Sequence, residues 1–186
     1  MNYKLNNWDH FETSYLQTFG EEVAIYTPSI YREFRGEIFT TYHSELHPAA
    51  SRVPTNLNYH SRFSVSRKDV LRGMHYDFDT WKLVQSTVGE IYLVVLDMRL
   101  GSSTYGKWEN YILSASTRDQ VMIPPGFANG HFALTDCIFH YYLFYSGSYN
   151  DEMSQGTVAY NDPRFKTAWP IAHPVLQERD MQTNEI

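Results

Sequence analysis

Short runs of β-branched and aromatic residues, each closed by turn residues, set the strongest limit on how this chain can fold. EVAIYTP, GEIFTTY, KLVQSTVGEIYLVVLDMRL, WENYILS, DQVMIPP, GHFAL and CIFHYYLFY all carry that composition. Gly101-Ser102-Ser103 and Pro124-Pro125-Gly126 are turn signals between them, and Val88-Gly89-Glu90 reads as a hairpin turn. A strand every 8–12 residues or so suits an all-β sandwich or barrel. Ile91–Met98 lacks clean alternation, which implies burial on both faces. The 15 tyrosines fit half-buried pleated surfaces. A jelly roll is the most economical architecture for this many strands around one core. Only short helices are expected, around Thr41–Leu46 and after Asn7. Residues 44–58 read as a loop with two prolines. The polar stretch 178–186 reads as loose.

At 186 residues the chain is one domain by length. Residues 1–186 are read as a single unit in which 1–22 and 171–186 are peripheral. No period of 20–50 residues repeats. A net charge of −6 with no Lys/Arg run argues against nucleic-acid binding. The N-terminus has no apolar h-region, and no run of 18 apolar residues occurs. No membrane association is expected, and a cytoplasmic location is the default. Cys137 stands alone in a strand-like run and reads as a buried structural thiol. There is no P-loop, no G-x-G-x-x-G and no G-x-S-x-G.

Of the eight histidines, none forms the H-x-H pair that would put two ligands on one strand face, so no metal site is expected. Most read as surface or turn residues. His75 differs in context. In Val70–Asp77, strict alternation puts Arg72 and Met74 on one face and Leu71, Gly73 and His75 on the other, with the glycine leaving room beside the imidazole. A core-facing histidine bonded to a neighbour is the plainer reading. Arg32, Arg35, Arg72 and Lys82 are cations that would hold a pyrophosphate if the fold brought them together. Taken singly, each reads as surface charge. Tyr141 and Tyr142 sit in an aromatic run that reads first as core.

Taken in order, YREFRGEIF, VLRGMHY, KLVQSTVGEIYLVVLDMRLGSSTYGKW, IPPGFANGHFAL, FHYY and YNDPRFKTAWP resemble the nucleotide-sugar 4-keto-epimerases typified by dTDP-4-dehydrorhamnose 3,5-epimerase. The likeness runs from about residue 31 to 170. It implies a cupin-like jelly roll that works without metal or other cofactor, usually as a homodimer, on a nucleotide-sugar substrate. It implies His75 as the base that removes a proton made acidic by the 4-keto group, and Asp162 of the N-D-P element as its carboxylate partner. Tyr141 is implied as the acid on the opposite ring face, with Tyr142 one register step away. The likeness also implies Lys82 near the developing enolate oxygen. Arg72 and Arg35 would hold the pyrophosphate, and Glu37 would touch nucleotide or sugar.

Where the family has H-Y-Q, this chain has H-Y-D, and only seven positions separate His75 from Lys82. S-S-T-Y-G stands for S-P-T-F-G. With the ending PVLQERD, these features resemble a branch acting on GDP-activated 6-deoxy-4-keto-heptoses in bacterial capsule synthesis. The alternatives are a dTDP-4-dehydrorhamnose 3,5-epimerase, a sugar 3,4-ketoisomerase, and a jelly roll that binds sugar nucleotides without catalysis.

Overall fold

A computed structural model of the chain describes residues 6, 9–149, 155–171 and 173–186. In chain order the strands are β1 (Phe11–Tyr15), β2 (Ala24–Pro28), β3 (Tyr31–Glu33), β4 (Gly36–Ile38), β5 (Asn58–Ser66), β6 (Leu71–Tyr76) and β7 (Trp81–Val88). They continue as β8 (Glu90–Asp97), β9 (Trp108–Ser114), β10 (Gln120–Ile123), β11 (Phe127–Ala133), β12 (Cys137–Tyr145) and β13 (Gly156–Thr157). One sheet has the order β1-β2-β10-β7-β12-β5 and the other β13-β6-β11-β8-β9, with β3 and β4 forming a separate hairpin. Neighbours in both sheets pair antiparallel. The result is a cupin-like jelly roll.

Each sheet is apolar on both sides. Ile25, Val84, Val121, Ile123 and Phe139 from the first sheet meet Ile91, Leu93, Val95, Leu113 and Phe127 from the second. Behind the second sheet, Met74, Val94, Leu96 and Ala128 pack under Val158, Phe165 and Trp169. Behind the first, Tyr26, Leu83, Met122 and Phe144 pack under Ala49 and Val53. β8 therefore sends alternate residues into two different clusters, as its lack of polar alternation implied. Burying one such side chain contributes about 1.5–3 kcal/mol. Cys137 lies in the central core at 2% exposure.

Three expectations need correction. Val88-Gly89-Glu90 is no hairpin turn, because β7 and β8 belong to opposite sheets. It is a corner between them. Gly89 has φ +73°, and a Cβ there would lie 2.2 Å from the Asp136 carbonyl oxygen, so the corner requires glycine. Next, the described residues contain no α-helix, only 3-10 turns at Gln17–Phe19, Pro48–Ser51 and Glu178–Met181. Thr41–Leu46 is bend and turn, and Phe11–Tyr15, after Asn7, is a strand. Finally, neither terminus is merely peripheral. β1 is the edge strand beside β2, and Leu16 and Phe19 enter the central core. The C-terminal segment is stitched to the second sheet, with Leu71 N–H donating to the Val175 carbonyl at 2.9 Å and Thr157 and Asn184 bonding reciprocally. No helix among the described residues is long and apolar enough to cross a membrane.

Candidate active site

A cavity of about 250 Å³ lies between the sheets. β6 supplies Arg72, Gly73 and His75, and β11 supplies Asn129 and His131. From the other sheet come Lys82 and Val84 of β7, Phe139, Tyr141 and Leu143 of β12, and Ser64 of β5. Tyr149, Gln155, Gln177, Arg179 and Asp180 complete the wall.

Simple alternation does not put Arg72 and His75 on the same face. The structure does it with a bulge. Opposite β6, Asn129 pairs with His75 and His131 with Arg72, so two steps of β11 face three of β6. The extra residue lets Arg72 and His75 both face the cavity while Met74 turns into the outer cluster. Gly73 sits in the bulge at φ +99°, where a Cβ would lie 2.7 Å from the Asn129 carbonyl oxygen and 2.8 Å from the Gly130 Cα. Both atoms are backbone of β11, so a larger residue would require that strand to move.

His75 Nε2 lies 2.8 Å from Asp180 Oδ1, and Asp180 Oδ2 accepts the Gly73 N–H at 3.2 Å. The Asp180 side chain is 6% exposed and that of His75 25%. An ionised carboxylate only accepts, so the imidazole proton sits on Nε2 and the lone pair on Nδ1. This corrects the expected pairing with Asp162. Both Asp162 oxygens are taken by Arg164, with Nη2 2.8 Å from Oδ2, and Oδ2 also accepts from Thr183 Oγ1 at 2.7 Å. The Arg164 guanidinium holds that carboxyl far below the usual carboxylate range. Asp162 thus anchors Thr183, three residues beyond Asp180, and acts on the segment that carries the partner of His75.

Lys82 is almost fully buried, and its ammonium donates to Asn129 Oδ1 at 3.1 Å and to the His75 carbonyl at 3.4 Å. Tyr141 faces the cavity beside Phe139, with ring centroids 5.4 Å apart. Tyr142 points the opposite way, 5.2 Å from the Tyr42 ring. Arg72 donates from Nε to Ser66 Oγ at 2.9 Å.

Arg32, Arg35 and Glu37 do not join this wall within the chain. They lie on the β3–β4 hairpin and at its turn, where Glu37 pairs with Arg32 at 3.3 Å and with Arg118 at 2.5 Å, and Arg35 pairs with Glu33. His131, one of the histidines given no role from sequence, is buried against Phe139 at 4.2 Å, and burial pulls its pKa down to about 3. It is a neutral ring in the floor of the cavity. Sequence reasoning assigned no role to Asp180, Asn129, Gln155 and Arg179, although Asn129 lies within IPPGFANGHFAL and Arg179 and Asp180 end PVLQERD.

A family profile described as dTDP-4-dehydrorhamnose 3,5-epimerase matches residues 18–186. The chain belongs to that family. As a family member it is an isomerase, an epimerase of nucleotide-linked 4-keto-6-deoxy sugars. It is 33% identical over 166 residues to the dTDP-4-dehydrorhamnose 3,5-epimerase of Pseudomonas aeruginosa, covering 87% of this chain and 89% of that one. The crystal structure of dTDP-6-deoxy-D-glucose-3,5-epimerase from Legionella pneumophila, in complex with dTDP-4-keto-L-rhamnose, superposes with TM-score 0.79 at 31% identity, over 92% of this chain and 90% of that one. A 4-keto-6-deoxy sugar epimerase from the novobiocin biosynthetic gene cluster of Streptomyces spheroides gives TM-score 0.81 at 31% identity, covering 94% and 86%. The expected narrowing to GDP-linked heptoses finds no support in these relatives. In the epimerase, His75 and Arg72 stand on one sheet and Lys82 and Tyr141 on the other, and all four line the cavity.

Proposed function

We propose that this epimerase inverts C3, C5 or both in a dTDP-linked 4-keto-6-deoxy hexose. The observation that carries the reading is the His75–Asp180 pair facing a cavity that also holds Lys82 and Tyr141. In the proposed mechanism His75 Nδ1 takes the proton from the carbon beside the keto group. The C–H electron pair becomes the enolate π bond, and the carbonyl pair moves to oxygen. Asp180 stabilises the imidazolium, and the Lys82 ammonium stabilises the enolate oxygen. Tyr141 then returns a proton to the opposite face, which inverts the centre. Arg72 is assigned to the pyrophosphate. The relatives named above favour the dTDP-linked hexose over the GDP-linked heptose.

A homodimer is part of the proposal. Tyr59, Phe63 and Val65 form an exposed apolar stripe on β5, the outer strand of its sheet, which supports pairing with a second copy. A sedimentation coefficient of a monomer would count against it.

Incubation in D₂O with dTDP- and GDP-linked 4-keto-6-deoxy sugars tests the reaction by mass spectrometry. A gain of two mass units on the dTDP-sugar means exchange at both carbons, and a gain of one means a single centre. His75→Asn is expected to abolish exchange, and Tyr141→Phe to leave exchange at the His75 face without inversion. Exchange confined to a GDP-linked sugar would overturn the nucleotide assignment. Normal turnover by a folded His75→Asn variant would overturn the mechanism.

A further inference from the structure

Asn129 stands directly across from His75 in the β6–β11 ladder, and its side chain lines the cavity. Directly paired residues of an antiparallel ladder have Cβ atoms about 4.5–5.5 Å apart, so this amide reaches the space over His75. Its orientation is fixed. Lys82 Nζ lies 3.1 Å from Oδ1, and an ammonium has only protons to offer, so the amide oxygen must face it. The NH₂ group then points away from Lys82 and has no hydrogen-bond partner among the described residues. The side chain is half-buried in the cavity wall.

We propose that Asn129 is a further catalytic residue, whose Nδ2–H is a second donor, beside Lys82, to the enolate oxygen at C4. This rests on the epimerase mechanism proposed above. Proton removal by His75 sends the electron pair to that oxygen, so its charge grows where Asn129 and Lys82 converge. Preorganised donors aimed at developing charge act more strongly in the transition state than on the ground-state carbonyl. The arrangement also accounts for an amide here. An aspartate would satisfy Lys82 equally well, but it would oppose the enolate and offer no proton.

Asn129→Asp and Asn129→Ser separate this role from a structural one. Asp keeps an acceptor for Lys82 and loses the donor, and Ser shortens the side chain so that neither contact is kept. Solvent-deuterium exchange on the substrate of the wild-type enzyme is followed for kcat and KM, with dTDP affinity by calorimetry and folding by thermal unfolding. Both variants are expected to lose about 10²–10³-fold in kcat, with KM and dTDP affinity within about threefold of wild type. Asn129→Gln, which restores donor and acceptor on a longer arm, is expected to recover part of the rate. Full activity in Asn129→Asp would show that the residue only holds Lys82, and would overturn the proposal. If Asn129→Asp does not fold, Asn129→Ser decides alone, and a kcat within about threefold of wild type overturns it. If the wild-type enzyme exchanges no hydrogen on any 4-keto sugar, the epimerase mechanism fails and this role fails with it. Exchange by wild type with an unaffected variant removes Asn129 only.

Discussion

The imidazole of His75 has two nitrogens, and Asp180 decides what each does. By accepting from Nε2 at 2.8 Å, it leaves Nδ1 as the basic atom. Asp180→Asn removes that control, because an amide can donate as well as accept. Exchange is expected to fall by about 10²–10⁴-fold in a protein that still folds. Asp162→Asn should do the reverse. It weakens the hold of Arg164 and Thr183 and costs about 1–2 kcal/mol of stability, while kcat of the folded enzyme stays within about threefold. Parallel urea titrations and exchange assays on the two variants check this, and the opposite pattern would return Asp162 to His75. Strand periodicity made clear that Tyr141 and Tyr142 face opposite ways; which face holds the cavity depends on β5, β7 and the segment packed behind them. Asp180 lies in the PVLQERD ending that the sequence singled out, but its role was not legible there, because its position depends on how a polar segment returns across the end of β6. Asp162 stood out because N-D-P is a local motif, but a motif does not say which atom it bonds.

At the scale of elements, the β6 bulge does most to shape the site. Gly73→Ala would push a methyl group into the Asn129 carbonyl and the Gly130 Cα, neither of which can yield without moving β11. It also places alanine at φ +99°. The expected cost is about 1–3 kcal/mol. Because His75 and Asn129 pair across the same bulge, the exchange rate should fall further than the thermal midpoint alone suggests. Unfolding and exchange measured on the same preparation test this, and a stable, fully active Gly73→Ala variant would refute it. Most of the central strands were legible, since β-branched and aromatic composition is local, but β1, expected as a helix, and β5 and β13 were not. Their partners were not. KLVQSTV and IYLVVLDM are separated by a single glycine, which is what a tight hairpin looks like, and only the approach of Asp136 to Gly89 reveals a corner between sheets. Arg72 and His75 were assigned opposite faces because a bulge is set by the neighbouring strand.

Across the whole molecule, three buried histidines govern the response to acid. Burial holds His47 down to about 4 and His131 to about 3, and it lowers His140 too. Below the ordinary imidazole value near 6.5 the unfolded chain binds protons that the folded chain refuses, so stability falls as pH falls. Each of the two larger shifts corresponds to on the order of 3 kcal/mol when fully developed. Asp97, held at about 2 by Arg99, Ser102 and Thr104, adds a loss below the usual carboxylate range. Urea midpoints are expected to drop steadily from pH 7 to pH 4.5, with uptake of about two protons by His47 and His131 on unfolding near pH 5 and a further contribution from His140. A flat profile would mean that the rings titrate normally. The jelly roll could be inferred from strand spacing, and burial of β8 on both faces from its lack of alternation, but the segments that cover the outer faces could not. Ala49, Val53, Val158, Phe165 and Trp169, which cover the strand residues there, lie outside the strands with no periodicity to read.

His75 belongs to one sheet and Tyr141 to the other, and the side chains between the sheets hold them apart. In the proposed mechanism the thickness of that hydrocarbon filling is therefore a catalytic dimension. It sets the gap across which a sugar ring is gripped from above and below. A methylene lost from Leu93 or Ile123 would change the spacing of base and acid as well as the melting temperature. Packing that looks purely structural would then shape the stereochemistry of the product.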